Sequence, residues 1–244
     1  MSLSYIFRYI VWVCRMIRNK LNVIRGIRNF QYKNAQRRRI ETAKQTNDIC
    51  IAYHGLERNG TNYLARCLKS VTLNILNEHI TDRKSFGHKH YRWYPSKDSI
   101  IKHYQRYYKS PLGTVNLSTL NKLCDFPENT IHVVIMKEAE SACVSIMNFA
   151  IRGLYYVDKR AALKDKNCIL KDYQEYYKFW KNLRKAHSKN VWIIRYENFD
   201  TEFTEFVQEV FPDIEKQKSV STYFERVHMS PPQREIYVYP EDLT

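Results

Sequence analysis

The stretch HGLERNGTNYL, in the first quarter of the chain, has the spacing of a loop that binds phosphate. Gly55 and Gly60 flank a turn between a predicted strand and a predicted helix. Successive backbone N–H groups can therefore face inward while the helix start adds its positive end. A nucleoside-triphosphate loop would continue with Lys and then Ser or Thr, whereas this chain has Thr61 and Asn62. The loop thus favours a terminal phosphate without a required metal, and Arg58 offers a cation from a different point.

Three short apolar runs rich in β-branched residues are predicted to be the strands that position this loop. Their near-continuous apolarity suits strands covered on both faces, and each is followed by a helical pattern. This alternation predicts an α/β fold with a central parallel β-sheet flanked by helices. The predicted strands span residues 49–53, 131–136 and 191–194, and the helices that follow them span residues 62–73, 141–151 and 202–210.

Two further segments have helical periodicity between these elements. Residues 98–108 are predicted to form another helix, followed by a loop. A later aromatic stripe at helical spacing is typical of a core, so we give it no role in ligand binding. The stripe consists of Tyr173, Tyr176, Tyr177, Trp180 and Leu183.

The loop resembles the 5′-phosphosulfate loop of the sulfotransferases that use 3′-phosphoadenosine 5′-phosphosulfate (PAPS). In that family a basic residue, a small polar residue, Gly, Thr and a second small polar residue follow one another. The resemblance implies that Arg58 is catalytic and neutralises the transferring sulfuryl group. Asn59 stands where the family usually has Ser. The cofactor-binding residues implied here are Glu57, Arg58, Asn59, Gly60, Thr61 and Asn62.

A second family motif, which grips the 3′-phosphate of PAPS, is similar to KEAESACVSIMNF. The motif has a basic residue at a strand end, a Ser eight positions on and an aromatic residue four further, which are Lys137, Ser145 and Phe149 here. Lys137 leaves the strand at the sheet edge and Ser145 lies about one turn into the next helix, so both can face one phosphate. The resemblance therefore implies that Lys137 and Ser145 bind the cofactor.

The resemblance extends over about residues 48–200. VWIIRYENF is similar to the strand and RYE turn that follow the second motif in these enzymes. We assign Arg195, Tyr196 and Glu197 a structural role first, bracing the sheet end and the cofactor pocket. A late contact with the 3′-phosphate would come from Arg226 or Arg234.

Family members place a catalytic histidine after a lysine, between the two cofactor motifs. In GHKHYRWYP, Lys89 and His90 match that pair, and His88 competes for the same role. An imidazole that titrates near neutrality can remove the proton from an acceptor hydroxyl as the hydroxyl attacks sulfur. We expect in-line sulfuryl transfer with His90 as the base, Arg58 and the loop amides stabilising the leaving group, and no metal.

The acceptor is less well specified than the cofactor. Tyrosine-rich loops can stack on sugars, which favours a carbohydrate or glycolipid hydroxyl, while a small phenol or a peptide tyrosine stays open. Two other classes also stay open. One is a degenerate P-loop nucleotide kinase, for which Glu138 is the tempting magnesium ligand, and the other is a non-catalytic protein with a sulfotransferase-like fold.

The net charge of +15 is concentrated in the amino-terminal arm, residues 1–46, which precedes a predicted catalytic domain at residues 47–244. Residues 1–44 hold eleven Lys or Arg against the single acid Glu41, and so carry ten of the fifteen net charges. Because the charge is concentrated in this arm and no known nucleic-acid-binding motif is present, we do not expect a nucleic-acid partner.

The arm has the pattern of a basic amphipathic helix over residues 3–30. Its longest uncharged run is far shorter than a membrane span, and no cleavage site for a signal peptide follows it. The helix either lies on an anionic membrane surface or packs on the domain or on a second copy. Residues 36–46 are interpreted as a polar connector.

The six cysteines are scattered without a CxxC pair, which indicates a reducing compartment and no zinc site. The predicted location is cytoplasmic, or peripheral at the membrane. A secreted protein with one disulfide is the alternative.

Overall fold

The computed structural model describes most of the chain beyond residue 47 and parts of the arm. The described residues are 6, 9–14, 34–35, 37–42, 44–45, 48–72, 74–78, 115–213 and 236–243. The predicted helix at residues 98–108 and the tyrosine-rich segment around it lie outside them. Within the described part of the chain, no helix has the length and apolarity needed to cross a bilayer.

The fold is α/β, with a three-stranded parallel sheet flanked by helices, as the strand and helix pattern predicted. The strands are β1 (Ile51–His54), β2 (Ile131–Met136) and β3 (Val191–Arg195). They lie in the order β1-β2-β3, and β2 has the predicted bounds. Ile51 pairs with Ile131, and Val134 pairs with Ile193. Almost every strand residue is buried, because helices cover both faces of the sheet.

A short extended segment lies beside β1 on the side away from β2. Ile75 forms a parallel bridge with Ile51, whose N–H donates to the carbonyl of Asn74 at 2.9 Å. The N–H of Leu76 donates to the carbonyl of Ile51 at 2.8 Å. After β1 the chain therefore first runs along one edge of β1, at Ile75, and later forms β2 along the other edge. Ligands of open parallel sheets bind at such a reversal, outside the carboxyl ends of the strands.

In the described residues from 48 onward, the chain forms six α-helices and one 3-10 helix. The helix after each strand was predicted, whereas α2 was not. Asn116 caps α2 by accepting a hydrogen bond from the Thr119 N–H at 2.8 Å. The helices are α1 (Thr61–Val71), α2 (Leu117–Cys124), α3 (Ala139–Arg152), α4 (Lys159–Leu163), α5 (Lys166–Ala186) and α6 (Phe199–Val210), with a 3-10 helix at Pro240–Leu243.

Alternate residues of the strands face two separate apolar layers. Ile51 and Tyr53 face a layer formed with α1 and α6, and Ala52 faces a layer formed with α2 and α5. The predicted aromatic stripe on α5 is buried in the second layer, so its assignment to the core is confirmed. The stripe residues Tyr173, Tyr176, Tyr177, Trp180 and Leu183 are all at most 9% exposed.

A chain of hydrogen bonds lies inside the second layer. His54 and His132, which we call the buried histidine pair, are joined by a 3.0 Å hydrogen bond between Nε2 and Nδ1. Asn121 gives its amide N–H to the Glu128 carbonyl, so its Oδ1 accepts from His132 Nε2 at 2.7 Å. Thus His132 Nδ1 is the acceptor for the His54 N–H. Burial lowers the pKa of His132 to about 3, which keeps the ring neutral.

The arm differs from its predicted organisation. Residues 37–42 and 44–45 are helical, although this segment was predicted to be a polar connector. Ile40 is 4% exposed and packs in the apolar layer formed with α2 and α5. This single apolar residue therefore anchors the helical turn to the domain. Arg39 and Lys44 form ion pairs with Glu78 and Asp125, at 3.1 and 2.6 Å.

The cysteines are all free thiols. Cys14 and Cys168 are exposed, and the other four are buried. Burial raises the pKa of Cys67 and of Cys124 to about 12, so these thiols are neutral core residues. Among the described residues, no group of three His, Cys, Asp or Glu side chains is arranged to hold a metal ion.

Candidate functional site

The glycine loop lies at the carboxyl end of β1, where the sheet order reverses. A Cβ at Gly55 would lie 2.7 Å from the Thr61 methyl group and 2.8 Å from the Ile135 side chain, so only glycine allows β1 and β2 to end this close together. Arg58 and Gly60 both have positive φ, at 70° and 91°. Left-handed residues of this kind turn backbone N–H groups into a concave surface that suits anions.

Helix α1 begins directly after this loop, at Thr61. Gly60 is its N-cap, no side chain among the described residues caps it, and its first turn contains no acid. The first N–H groups of an α-helix have no partner within the helix, and they carry the positive end of its dipole. Thr61 is 4% exposed with its methyl group toward Gly55, whereas Asn62 is exposed. The helix start can therefore receive an anion through its backbone.

Asn59 holds the loop from beneath. Its side chain is fully buried, and its amide donates to the Tyr177 hydroxyl at 2.6 Å. That hydroxyl donates in turn to the Ile135 carbonyl at 2.9 Å. The Asn59 N–H donates to the carbonyl of Leu56 at 3.2 Å. Asn59 therefore supports the loop through Tyr177, and its predicted contact with phosphate stays a prediction.

Lys137 and Ser145 are brought together as their spacing predicted. Lys137 Nζ donates to Ser145 Oγ at 2.9 Å, and the Tyr173 hydroxyl donates to the Lys137 carbonyl. The ammonium also lies 5.5 Å from the centre of the Tyr196 ring. The same ring packs on Gly60, where an added Cβ would lie 2.6 Å from it. Tyr196 therefore connects the glycine loop with the second motif.

Arg58 lies in the same region as Lys137. Its guanidinium is 5.2 Å from the centre of the Phe149 ring, which belongs to the second motif. Burial lowers the pKa of Arg58, with a further lowering from nearby Arg152, while Glu57 raises it. Burial also lowers the pKa of Lys137, which Glu197 raises and Arg58 lowers. The two predicted motifs thus meet at the carboxyl edge of the sheet.

Arg152 also belongs to this group, although it was not predicted from the sequence. Ser145, Phe149 and Arg152 are separated by four and then three residues, so they share one face of α3. That spacing was visible in the sequence and could have identified Arg152. We call Arg58, Lys137 and Arg152 the cation cluster. Cationic groups held close to one another suit an anionic ligand between them.

The turn after β3 braces the sheet end, in agreement with the role assigned to it. Glu197 accepts from the N–H of Glu138, the N-cap of α3, at 3.0 Å. Glu202 accepts from the backbone N–H of Arg195 at 2.6 Å and also from its side chain. These contacts fix the start of α3 and hold Tyr196 over the loop.

The remaining predicted site residues lie outside the described part of the chain. They are the histidine segment with His88, Lys89 and His90, and the late arginines Arg226 and Arg234. His90 as general base stays a prediction.

Comparison of the chain with known proteins adds no relative to this picture. No family model, no curated protein and no solved structure matches it. The resemblance to sulfotransferases thus depends on the residues of the two motifs and their spacing. What the structure establishes is an α/β fold with a three-stranded parallel sheet, whose carboxyl edge carries a glycine loop and a cluster of cations.

Proposed function

We propose that this chain is a sulfotransferase that moves a sulfuryl group from PAPS to a hydroxyl of a carbohydrate or glycolipid. One observation carries the proposal. Arg58 from the glycine loop lies 5.2 Å from the centre of the Phe149 ring, and Lys137 from the end of β2 hydrogen-bonds to Ser145. Ser145 and Phe149 are one turn apart on α3, so the two cations meet the same helix face. A nucleotide with phosphate groups at both its 5′ and 3′ positions requires two such cationic centres side by side.

The residues present fit such a nucleotide. The loop backbone has positive φ at Arg58 and Gly60, and among the described residues no side chain caps the start of α1. Lys137 is paired with the hydroxyl of Ser145. The N–H groups of Gly60, Thr61 and Asn62 would hold the 5′-phosphate, and Lys137 with Ser145 would hold the 3′-phosphate. When bound, PAPS supplies an electrophilic sulfur with a good leaving group.

The chain's own contribution is electrostatic. The Arg58 guanidinium stays protonated at every physiological pH and lies on the face of Phe149. It can offset negative charge that develops at the mouth of the loop, without any reorganisation at the moment of reaction. His90 would take the proton from the acceptor hydroxyl.

Two structural details belong to the same proposal. The fold would be the P-loop-like sulfotransferase fold, and residues 3–30 would form a basic amphipathic helix. The described residues 9–14 are helical, and Trp12 donates to the Tyr155 carbonyl at 3.0 Å. Ile6, Tyr9 and Ile10 are 40–53% exposed, which supports a contact with a membrane surface by a cytoplasmic protein.

Calorimetry with adenosine 3′,5′-bisphosphate, compared with ATP plus Mg²⁺, tests the proposal. We expect saturable binding of the bisphosphate without metal, and no preference for ATP. Preferential binding of ATP with Mg²⁺ would favour a kinase. Binding of the bisphosphate without any sulfuryl transfer from PAPS, over a panel of acceptors followed by mass spectrometry, would favour a non-catalytic protein.

A further inference from the structure

A groove of about 310 Å³ lies between the arm and the segment that follows α3. Its volume is at the lower end of the roughly 300–1,000 Å³ typical of small-ligand sites. The Trp12 indole closes one side by donating to the Tyr155 carbonyl at 3.0 Å. The residues that give the groove its chemistry are Tyr9, Trp12, Tyr155, Tyr156, Lys164 and Asp165.

We propose that this groove binds one sugar unit of a neutral saccharide. Four aromatic rings line it together with one ammonium and one carboxylate. Aromatic faces pack against the C–H face of a pyranose, while a carboxylate and an ammonium accept and donate hydrogen bonds with its hydroxyls. Asp165 Oδ2 accepts from the Tyr156 hydroxyl at 2.8 Å, which holds the carboxylate at the groove. A lipid chain would leave both charged groups against hydrocarbon, which is costly.

The groove adjoins the cation cluster through a single aromatic ring. The Tyr155 ring lies 6.3 Å from the Phe149 ring, and the guanidinium of Arg58 lies 5.2 Å from the centre of the same Phe149 ring. Resting on the proposed sulfotransferase function, this continuity makes the groove a subsite for the acceptor. Arg58 does not line the groove, so the hydroxyl that reacts beside Arg58 belongs to a unit next to the one in the groove. The acceptor is therefore a saccharide of at least two units.

The test is a ligand-observed NMR titration of the full chain with lactose, cellobiose and chitobiose and with their monosaccharides. We expect at least one disaccharide to bind more tightly than its monosaccharides. Tyr9→Ala removes one wall and should weaken that binding about fivefold, the value of one aromatic stacking contact. Lys164→Gln, at an exposed position that does not endanger the fold, should weaken it about threefold.

Ile10→Ala is the matched control, because Ile10 is the next residue, is 53% exposed and does not line the groove. Its disaccharide binding should equal that of the unchanged chain. The proposal is overturned if no disaccharide binds, or if Tyr9→Ala and Ile10→Ala behave alike. Absence of saccharide binding, with both variants losing adhesion to vesicles of phosphatidylcholine and phosphatidylserine, would assign the surface to lipid instead.

Titration of the same samples with adenosine 3′,5′-bisphosphate separates the two proposals. Binding of the bisphosphate without any disaccharide removes the groove proposal and leaves the sulfotransferase proposal intact. Binding of a disaccharide without the bisphosphate removes the groove's role as an acceptor subsite together with the proposed function.

Discussion

His132 near the start of β2 and Lys137 just beyond its end belong to two polar clusters that differ in how fully their polar groups are paired. In the buried histidine pair, each hydrogen bond in the chain from His54 through His132 to Asn121 has a donor and an acceptor. The His132 ring is neutral, and Trp180 packs against both rings. Polar groups buried and matched in this way contribute to stability and specify the packing of the core.

The cation cluster includes Lys137, which lies five residues after His132 and just beyond the end of β2. Its charged groups are less completely paired than the buried histidine pair. Burial lowers the pKa of both Arg58 and Lys137. Arg152 lowers the pKa of Arg58 by more than Glu57 raises it, whereas Glu197 offsets the effect of Arg58 on Lys137. Such a group costs folding energy in the absence of a ligand. The difference teaches how to interpret polar side chains inside a fold. Charged groups that lack full neutralisation indicate a binding site, whereas polar groups whose hydrogen bonds are all paired have a structural role.

The largest effect is expected from Arg58→Ala. Turnover should fall about 10²- to 10³-fold, because a preorganised charge at the loop is lost, whereas affinity for adenosine 3′,5′-bisphosphate should fall less than about tenfold. Initial rates with PAPS and calorimetry measure the two quantities. Arg160→Ala, at an exposed position on α4, is the control and should change neither. Equal losses in rate and affinity would contradict the catalytic role of Arg58.

Removal of the His132 ring tests the structural role of the buried histidine pair. His132→Ala should lower the free energy of unfolding by about 3 kcal/mol, since it leaves a cavity and two polar partners unmatched. Urea denaturation measures this, and bisphosphate affinity of the folded protein should stay unchanged. His187→Ala, at the partly exposed end of α5, should cost less than about 0.5 kcal/mol. A loss of nucleotide affinity in His132→Ala would show that the two clusters are coupled.

Acid should weaken the fold through the same ring. The unfolded histidine takes up a proton near pH 6.5, whereas burial holds the pKa of His132 in the folded chain at about 3. The unfolded state therefore binds more protons, so stability is complete above about pH 6.5 and is lost as the pH falls toward 3. Between pH 7 and pH 5 we expect a loss of roughly 2 kcal/mol in urea denaturation. The loss should shrink in His132→Ala, and an equal loss in that variant would exclude His132 as its source.

The smallest effect is expected from Lys137→Met. Because the folded state lowers the pKa of Lys137, removal of its charge should stabilise the ligand-free protein. The gain should be a few tenths to about 1 kcal/mol, since solvent screens a half-buried charge. Thermal unfolding with and without the bisphosphate measures it, and ligand should protect the unchanged chain much more than the variant. A destabilised variant would show that the Ser145 hydrogen bond outweighs the cost of burying the charge.

Several local features could be predicted because they depend on neighbouring residues. Buried apolar runs indicated the three strands, and an eight-residue spacing indicated that Lys137 meets Ser145. Others could not. The direction of Asn59 depends on Tyr177, which is 118 residues away in the chain. The helical turn around Ile40 was hidden in a basic stretch, because a single apolar residue produces no periodicity.

The sequence by itself determined where the strands lie, where the loop turns and which residue types stand at the strand ends. These depend on hydrophobic pattern and on the backbone freedom of glycine, which act over a few residues. Only the tertiary structure decided that Arg58, Lys137 and Arg152 share one space, and that Trp12 closes a groove beside them. Those contacts follow from the order of the strands and the packing of distant segments, which no local pattern encodes.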